Sequence, residues 1–421
     1  MKHSVFWAAL AVSGLAVGGL AMSGLAVGAA QAESIRIGHI DPFSGTFSNV
    51  GVVNGKHVQF GADLVNEAGG VLGGKTFEVV RFDNKASAQE TVIAFQEALD
   101  QGIRIITQAT SSGIALALAD AVNKHNRRNP DDPVLYLNYG SADPSLTRDK
   151  CNFYMFRFEA HSGMKQAGLT DLIAADKDIK KVYIIGQDYG HGHEVSRYTK
   201  EMLAEKRPDI EIVGDEFHPF GKVKDFTPYV AKIKAAGADA VVTGNFGADL
   251  TLLIKAANSA GLDAKFFTQY SGTFGTPTAI GAAGVGRVYD AAPWHPDVPV
   301  EQDNAAAGQL VSGFQEKYGE DLYYVQILVQ MQMLAEAIEA AGSTDPKAVA
   351  GALSGAAFDG PTGKMTMRAS DHQLFHPLFM SVFTGEGITN DAEGTGLGWK
   401  TVLTVNGDQL SDDSTCEVKR P

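Results

Sequence analysis

Between residues 103 and 119 an apolar run, a hydroxyl-bearing turn and a second apolar run follow without a break. Thr110, Ser111, Ser112 and Gly113 form the turn. The pattern predicts a buried strand ending in the turn and a helix beginning there. The first N–H groups of a helix have no partner inside it, and the peptide dipoles make that end positive. Ser111 and Ser112 add hydroxyls to those N–H groups. Together they suit a small anion such as a carboxylate. No base or nucleophile-activating residue lies in the stretch, so it is suited to holding rather than reacting.

Other chemistries fit less of the chain. His191 and His193, with His161 and His295 elsewhere, are zinc-type ligands, but no Glu or Cys stands at ligand spacing, so no metal is expected. A Gly-x-Ser-x-Gly turn is absent, and Ser111 lacks obvious Asp and His partners in the sequence. A secreted hydrolase using Ser111 is the weaker alternative. A phosphate loop is excluded, because no Gly-Lys-Ser/Thr occurs after a strand. The loop 41–46, and Ser141 and Ala142 after the fourth strand, fall at the same sheet edge as Ser111. Tyr189, Phe246 and Tyr270 follow strands of the second half, and with Phe47 they predict an aromatic wall.

These residues need a scaffold that brings strand ends together. Strands read at 35–40, 77–83, 103–109 and 134–139, with helices near 55–68, 88–100 and 113–126. The alternation restarts with strands at 181–187, 211–217, 239–244 and 265–269 and helices near 192–205, 226–236 and 248–260. Continuous apolar strands spaced by helices predict parallel sheets covered on both faces. In such sheets ligands bind outside the carboxyl ends of the strands. Residues 97–118 and 231–254 share one order of helix, glycine, apolar strand, threonine, turn and helix, which makes Ser111 and Phe246 equivalent turns of two α/β lobes. A long helix at 321–341, a short one from Pro346 toward Leu353, and strands within 356–383 and 399–406 complete the chain.

The 421 residues are too many for one ordinary core and fit two domains. A net charge of −14 argues against nucleic acid or an anionic membrane as partner. Lys2 and His3 precede an apolar run from 5 to 30 that ends Ala30, Gln31, Ala32. This reads as a signal peptide over 1–32, cleaved before Glu33, with an uncleaved anchor as the alternative. For an exported chain, Cys151 and Cys416 read as one disulfide, the alternative being two unpaired thiols.

The segment from Gly38 through Asp41 to Gly45, the stretch 66–75, Asp83 with Asn84, the run Gln187, Asp188, Tyr189, Gly190, and Asp225 to Thr227 with 233–237 form a specific set. Over 34–385 the chain resembles periplasmic solute-binding proteins of the branched-chain amino acid class, which serve ATP-driven importers. The resemblance implies a type I periplasmic binding fold, two Rossmann-like lobes with a three-segment hinge. Crossings are expected near 156–160, 290–294 and 358–362. Lobe 1 would comprise 33–157 plus 292–358, and lobe 2 would comprise 158–291 plus 359–421. The resemblance also implies a ligand carboxylate at Ser111, contacts from Ser141 and Ala142, and Tyr189 and Phe246 facing them.

Amino-acid binders of this class hold the ligand ammonium with an acidic residue at the position where this chain has Tyr270. Asp41 and Asp249 are the nearest carboxylates in sequence terms. The expected solute is therefore a branched-chain or other amino acid, an organic or aromatic acid, or an amide. The resemblance further implies a non-enzymatic periplasmic monomer without cofactor, partnered by a membrane permease. A ligand-sensing subunit of the same fold is the alternative.

Overall fold

The computed structural model describes residues 34–273, 275–410, 416 and 418–421. The leader read at 1–32 lies outside them. The first lobe holds β1 (Ile35–Asp41), β2 (Phe77–Asp83), β3 (Ile105–Thr107), β4 (Leu135–Asn138) and β5 (Met155–Arg157). They form one parallel sheet in the order β2-β1-β3-β4-β5. Ile37, Ile106, Leu135 and Leu137 are fully buried, as expected for strands covered on both faces.

The second lobe repeats the plan with β6 (Lys181–Gln187), β7 (Glu211–His218), β8 (Ala240–Val242), β9 (Lys265–Thr268) and β10 (Val288–Ala292). A small antiparallel sheet then forms from β11 (Ala357–Gly360), β12 (Gly363–Met367) and β13 (Leu374–Phe375). Finally β14 (Leu378–Thr384) and β15 (Gly398–Val405) add antiparallel to the second sheet, giving the order β15-β14-β10-β9-β8-β6-β7.

The chain crosses between lobes three times. The first crossing follows β5, since the helix Ser162–Ala175 buries Leu169 and Ile173 against Val182 and Val242 of the second lobe. The second follows β10, where Trp294 and the helix Ala305–Tyr318 pack on Phe60. The third differs from the sequence reading. Phe358, Met365, Met367 and Leu374 join Ile37, Leu135 and Phe156 in the first lobe's core. Arg157 N–H donates to His372 O at 2.9 Å, which docks this small sheet beside β5. The crossing therefore falls at His376 and Pro377 rather than within 358–362, and residues 359–375 lie on the first lobe rather than the second. The hidden signal is the alternation of Met365 and Met367, which buries one face of a hairpin.

Cys416 and Val418, near the end of the chain, also lie on the first lobe. Cys416 forms a disulfide with Cys151 across 265 residues of sequence, and Val418 N–H donates to Ser370 O at 2.9 Å.

Element boundaries moved where tertiary contact outweighed local preference. The first helix starts at Ser48, well before the 55 expected from its apolar spacing, although it contains Gly51 and Gly55. Gly51 lies so close to Pro42 that a Cβ would sit 2.1 Å from the Pro42 carbonyl oxygen, so packing favours the glycine that propensity disfavours. Later in this helix, His57 donates Nδ1–H to Val53 O at 2.8 Å and accepts Tyr323 N–H through Nε2 at 3.1 Å. Its ring lies 4.3 Å from that of Phe314. Burial pulls its pKa from 6.5 to about 3.

Two outcomes are expected. Replacing both cysteines by serine lowers the unfolding free energy by about 2–4 kcal/mol in urea titrations; an unmoved midpoint would show that the tail is held without the bond. Stability also falls as pH drops below 6.5, because the unfolded chain protonates His57 there and the folded chain holds it neutral down to about 3. Urea titrations of His57→Gln should show a shallower slope in that window, by on the order of 1 kcal/mol per pH unit. Equal slopes in the two proteins would refute the role given to His57.

Candidate functional site

The strand β3 ends at Thr107, and the side chain of Gln108 bends back to donate to Thr110 O at 2.9 Å. Ser111 then takes φ +71°, a left-handed conformation that is rare outside glycine. This reverses the chain into the helix Ser112–Arg128, whose start carries no side-chain capping bond. Its first-turn N–H groups and the positive end of its dipole are thus at the sheet edge, as the sequence predicts.

A buried carboxylate fixes this turn. Asp41 Oδ1 accepts Thr110 N–H at 3.3 Å. Asp41 Oδ2 accepts from Asn54 Nδ2 at 2.9 Å and from the Tyr139 hydroxyl, with His39 Nε2 at 3.3 Å. Burial pushes the Asp41 pKa up, but His39, Tyr139 and Asn54 outweigh it and hold the carboxyl below its ordinary value. The neighbouring turn is fixed likewise. Asn138 Oδ1 accepts the N–H groups of Gly140 and Ser141 at 3.1 and 2.9 Å, and the Ser141 hydroxyl donates to Ala109 O.

Across the cleft stand residues of the second lobe. Tyr189 and Phe246 precede the helices Gly190–Lys206 and Gly247–Ser259, and Tyr270 follows β9. Ring centres lie 6.3 Å apart for Tyr189 and Phe246 and 6.1 Å apart for Phe246 and Tyr270. Ser111, Ser112, Ser141, Ala142, Tyr189, Phe246 and Tyr270 all line one cleft. Phe47 stands behind that wall, with its ring 4.7 Å from Phe220 and 5.4 Å from Phe246.

The two lobes touch around the cleft. The Tyr270 hydroxyl donates to Gly140 O at 3.1 Å, and the hydroxyls of Thr273 and Tyr324 meet. Asp143 of the first lobe reaches Gly190, where a Cβ would lie 2.4 Å from its Oδ2. A larger residue at 190 would require the Asp143 carboxylate to move aside.

The sequence reading missed several cleft residues. Glu159 comes from the first crossing and Gln326 from the helix Val325–Ala341. A carboxylate at the expected first crossing, between Phe158 and Ala160, was the available signal for Glu159. Behind the cleft its Oε1 lies 3.3 Å from Lys165 Nζ. That ammonium also donates to Gln269 O at 3.2 Å and sits 4.0 Å over the centre of the Tyr270 ring. Burial raises the Glu159 pKa, and Lys165 opposes this. Asp249, the other nearby carboxylate in sequence terms, is buried. It accepts from Gln187 and Gly221 N–H, both at 2.8 Å, within the second lobe.

The two histidines of the His191–His193 pair point apart. His191 is buried at the cleft and bonds to Ser162 Oγ at 2.7 Å, while His193 bonds to Asp188 at 2.9 Å on the surface. Among the described residues no group of three or more His, Cys, Asp or Glu side chains is placed to hold a metal.

Residues 34–387 match the family described as periplasmic binding protein. The chain is 31% identical over 427 residues to Leu/Ile/Val-binding protein homolog 4 of Brucella melitensis biotype 1, covering all of this chain and 98% of that one. It is 30% identical to the leucine-, isoleucine-, valine-, threonine- and alanine-binding protein of Brucella ovis, solved in a closed conformation. That likeness has a TM-score of 0.81 and covers 93% of this chain and 100% of the other. An R. palustris ABC-transporter solute-binding protein in complex with benzoate shares the fold at 20% identity and a TM-score of 0.75, over 91% and 100% of the two chains.

The Asp41→Asn variant removes an acceptor from this network while keeping its volume. It should cost about 1–3 kcal/mol of stability in urea titrations at neutral pH. A stability equal to the parent's would show that Asp41 does not hold the turn.

Proposed function

Because the chain belongs to the periplasmic binding protein family, we propose that it is the solute receptor of an ATP-driven importer, closing its two lobes on a small amino-acid-like or carboxylate-bearing solute. The family and the solved relatives above are solute-binding proteins, not enzymes. The observation that carries the reading is the uncapped start of the helix Ser112–Arg128, facing an aromatic wall across one cleft.

In this reading Ser111, Ser112 and the first-turn N–H groups receive the carboxylate. Ser141 and Ala142 flank it. Tyr189, Phe246 and Tyr270 enclose the rest of the solute, and Phe47 backs them. The Brucella relatives, named for leucine, isoleucine and valine among their solutes, support an amino acid. Cleavage near Ala32 releases the mature chain into the periplasm. It acts there as a monomer, and hinge closure creates the surface that a membrane permease reads.

Thermal unfolding of the mature chain against L-leucine, L-isoleucine, L-valine, L-threonine, L-alanine, benzoate and short amides tests the reading. A true solute at 100 times its Kd stabilises by about 2.7 kcal/mol. Ser111→Asp should fold, since the Ser111 side chain is half-buried and makes no capping bond that the change would remove. Its charge at the carboxylate position should weaken binding by at least about 100-fold. Failure of every compound to stabilise the parent, or full binding by Ser111→Asp, would overturn the proposal.

A further inference from the structure

The floor of the cleft holds acceptors that lack donors. Glu159 is fully buried, and its carboxylate accepts from Ala160 N–H at 2.9 Å, Gln326 Nε2 at 3.0 Å and Lys165 at 3.3 Å. A carboxylate offers about four lone-pair sites, so one is left. Gln326 is 3% exposed and also lines the cleft. Its amide orientation is set by Glu159, because the carboxylate must meet the NH₂ end. That leaves the Gln326 carbonyl Oε1 buried with no donor among the described residues. A buried acceptor without a donor costs about 1–3 kcal/mol, so this corner favours a group rich in N–H.

Two further observations favour a cation over a neutral donor. The rings of Tyr189 and Tyr324 line the cleft, and electron-rich aromatic rings attract cations. The charge balance agrees. Glu159 and Lys165 cancel, the buried Asp41 beneath the Ser111 turn and the buried Arg157 near Glu159 carry opposite charges, and His191 is neutral because burial pulls its pKa to about 3. A solute carrying only a carboxylate would bring a net charge into a closed cleft, met only by the helix N–H groups and dipole, whereas a zwitterion brings none.

We propose that Glu159 and the Gln326 carbonyl receive the solute's ammonium group, which makes Glu159 the residue that selects α-amino acids over acids lacking an amine. This rests on the receptor reading above and narrows its solute class. The acidic partner comes from the first hinge crossing, not from the second-lobe position held by Tyr270. Tyr270 instead covers Lys165 and bridges the lobes.

Calorimetry with L-leucine, its deaminated analogue 4-methylpentanoate, and benzoate tests this, with the other amino acids named above as further probes. The parent should prefer an amino acid over its deaminated analogue by about 100-fold. Glu159→Gln should collapse that preference to less than about 10-fold by weakening the amino acid alone. Where the lone Lys165 charge prevents folding, Glu159→Gln with Lys165→Met removes both charges and gives the same readout. A variant that keeps the parent's preference overturns the assignment. So does a parent that binds 4-methylpentanoate or benzoate at least as tightly as any amino acid, although the receptor reading then stands. A parent that binds none of the probes overturns both.

Discussion

The first N–H groups of the helix Ser112–Arg128 need partners that the helix itself does not supply. Parallel strands followed by helices repeat this condition at every strand end, so each lobe gathers helix starts along one edge. At Ser111 the condition is met by geometry rather than by a cap. A serine held at φ +71° keeps its side chain out of the capping role and leaves the helix start at the cleft. That backbone costs on the order of 1–3 kcal/mol and needs support from its surroundings. The support is Asp41, whose two oxygens gather Thr110, Asn54, Tyr139 and His39. The loop after β3, the first helix and the loop after β4 are thus tied to a single buried carboxylate at the end of β1.

The second lobe supplies contact area rather than charge. Its aromatic side chains meet the first lobe through Phe47 and Tyr270, and glycine at position 190 allows Asp143 to approach. These contacts join two lobes that each have a core of their own. The buried pair Glu159 and Lys165 lies where the chain first crosses between lobes, so a group meeting Glu159 bears directly on the hinge.

Much of the chain was legible because its local signals agree with its tertiary fate. The strands 77–83 and 181–187 and the helix 88–100 have the bounds that their apolar runs and flanking glycines suggest. The seven cleft residues read from strand-end positions meet in one cleft because parallel topology places all such positions on one edge. The third crossing was not legible. The hairpin around Gly360 and Pro361 carries turn signals that look the same on either lobe, and only the burial of Met365 and Met367 decides between them.

From sequence alone follow the paired α/β lobes, the helix start at Ser111 and the aromatic residues opposite it. Each of these depends on patterns a few residues long. Tertiary structure alone decided that Asp41 lies buried beneath the Ser111 turn, that Phe47 backs the wall, and that Glu159 and Gln326 share the cleft floor. Glu159 and Gln326 stand 167 residues apart. No local period links them, and only the packing of a hinge crossing against the helix Val325–Ala341 brings their side chains together.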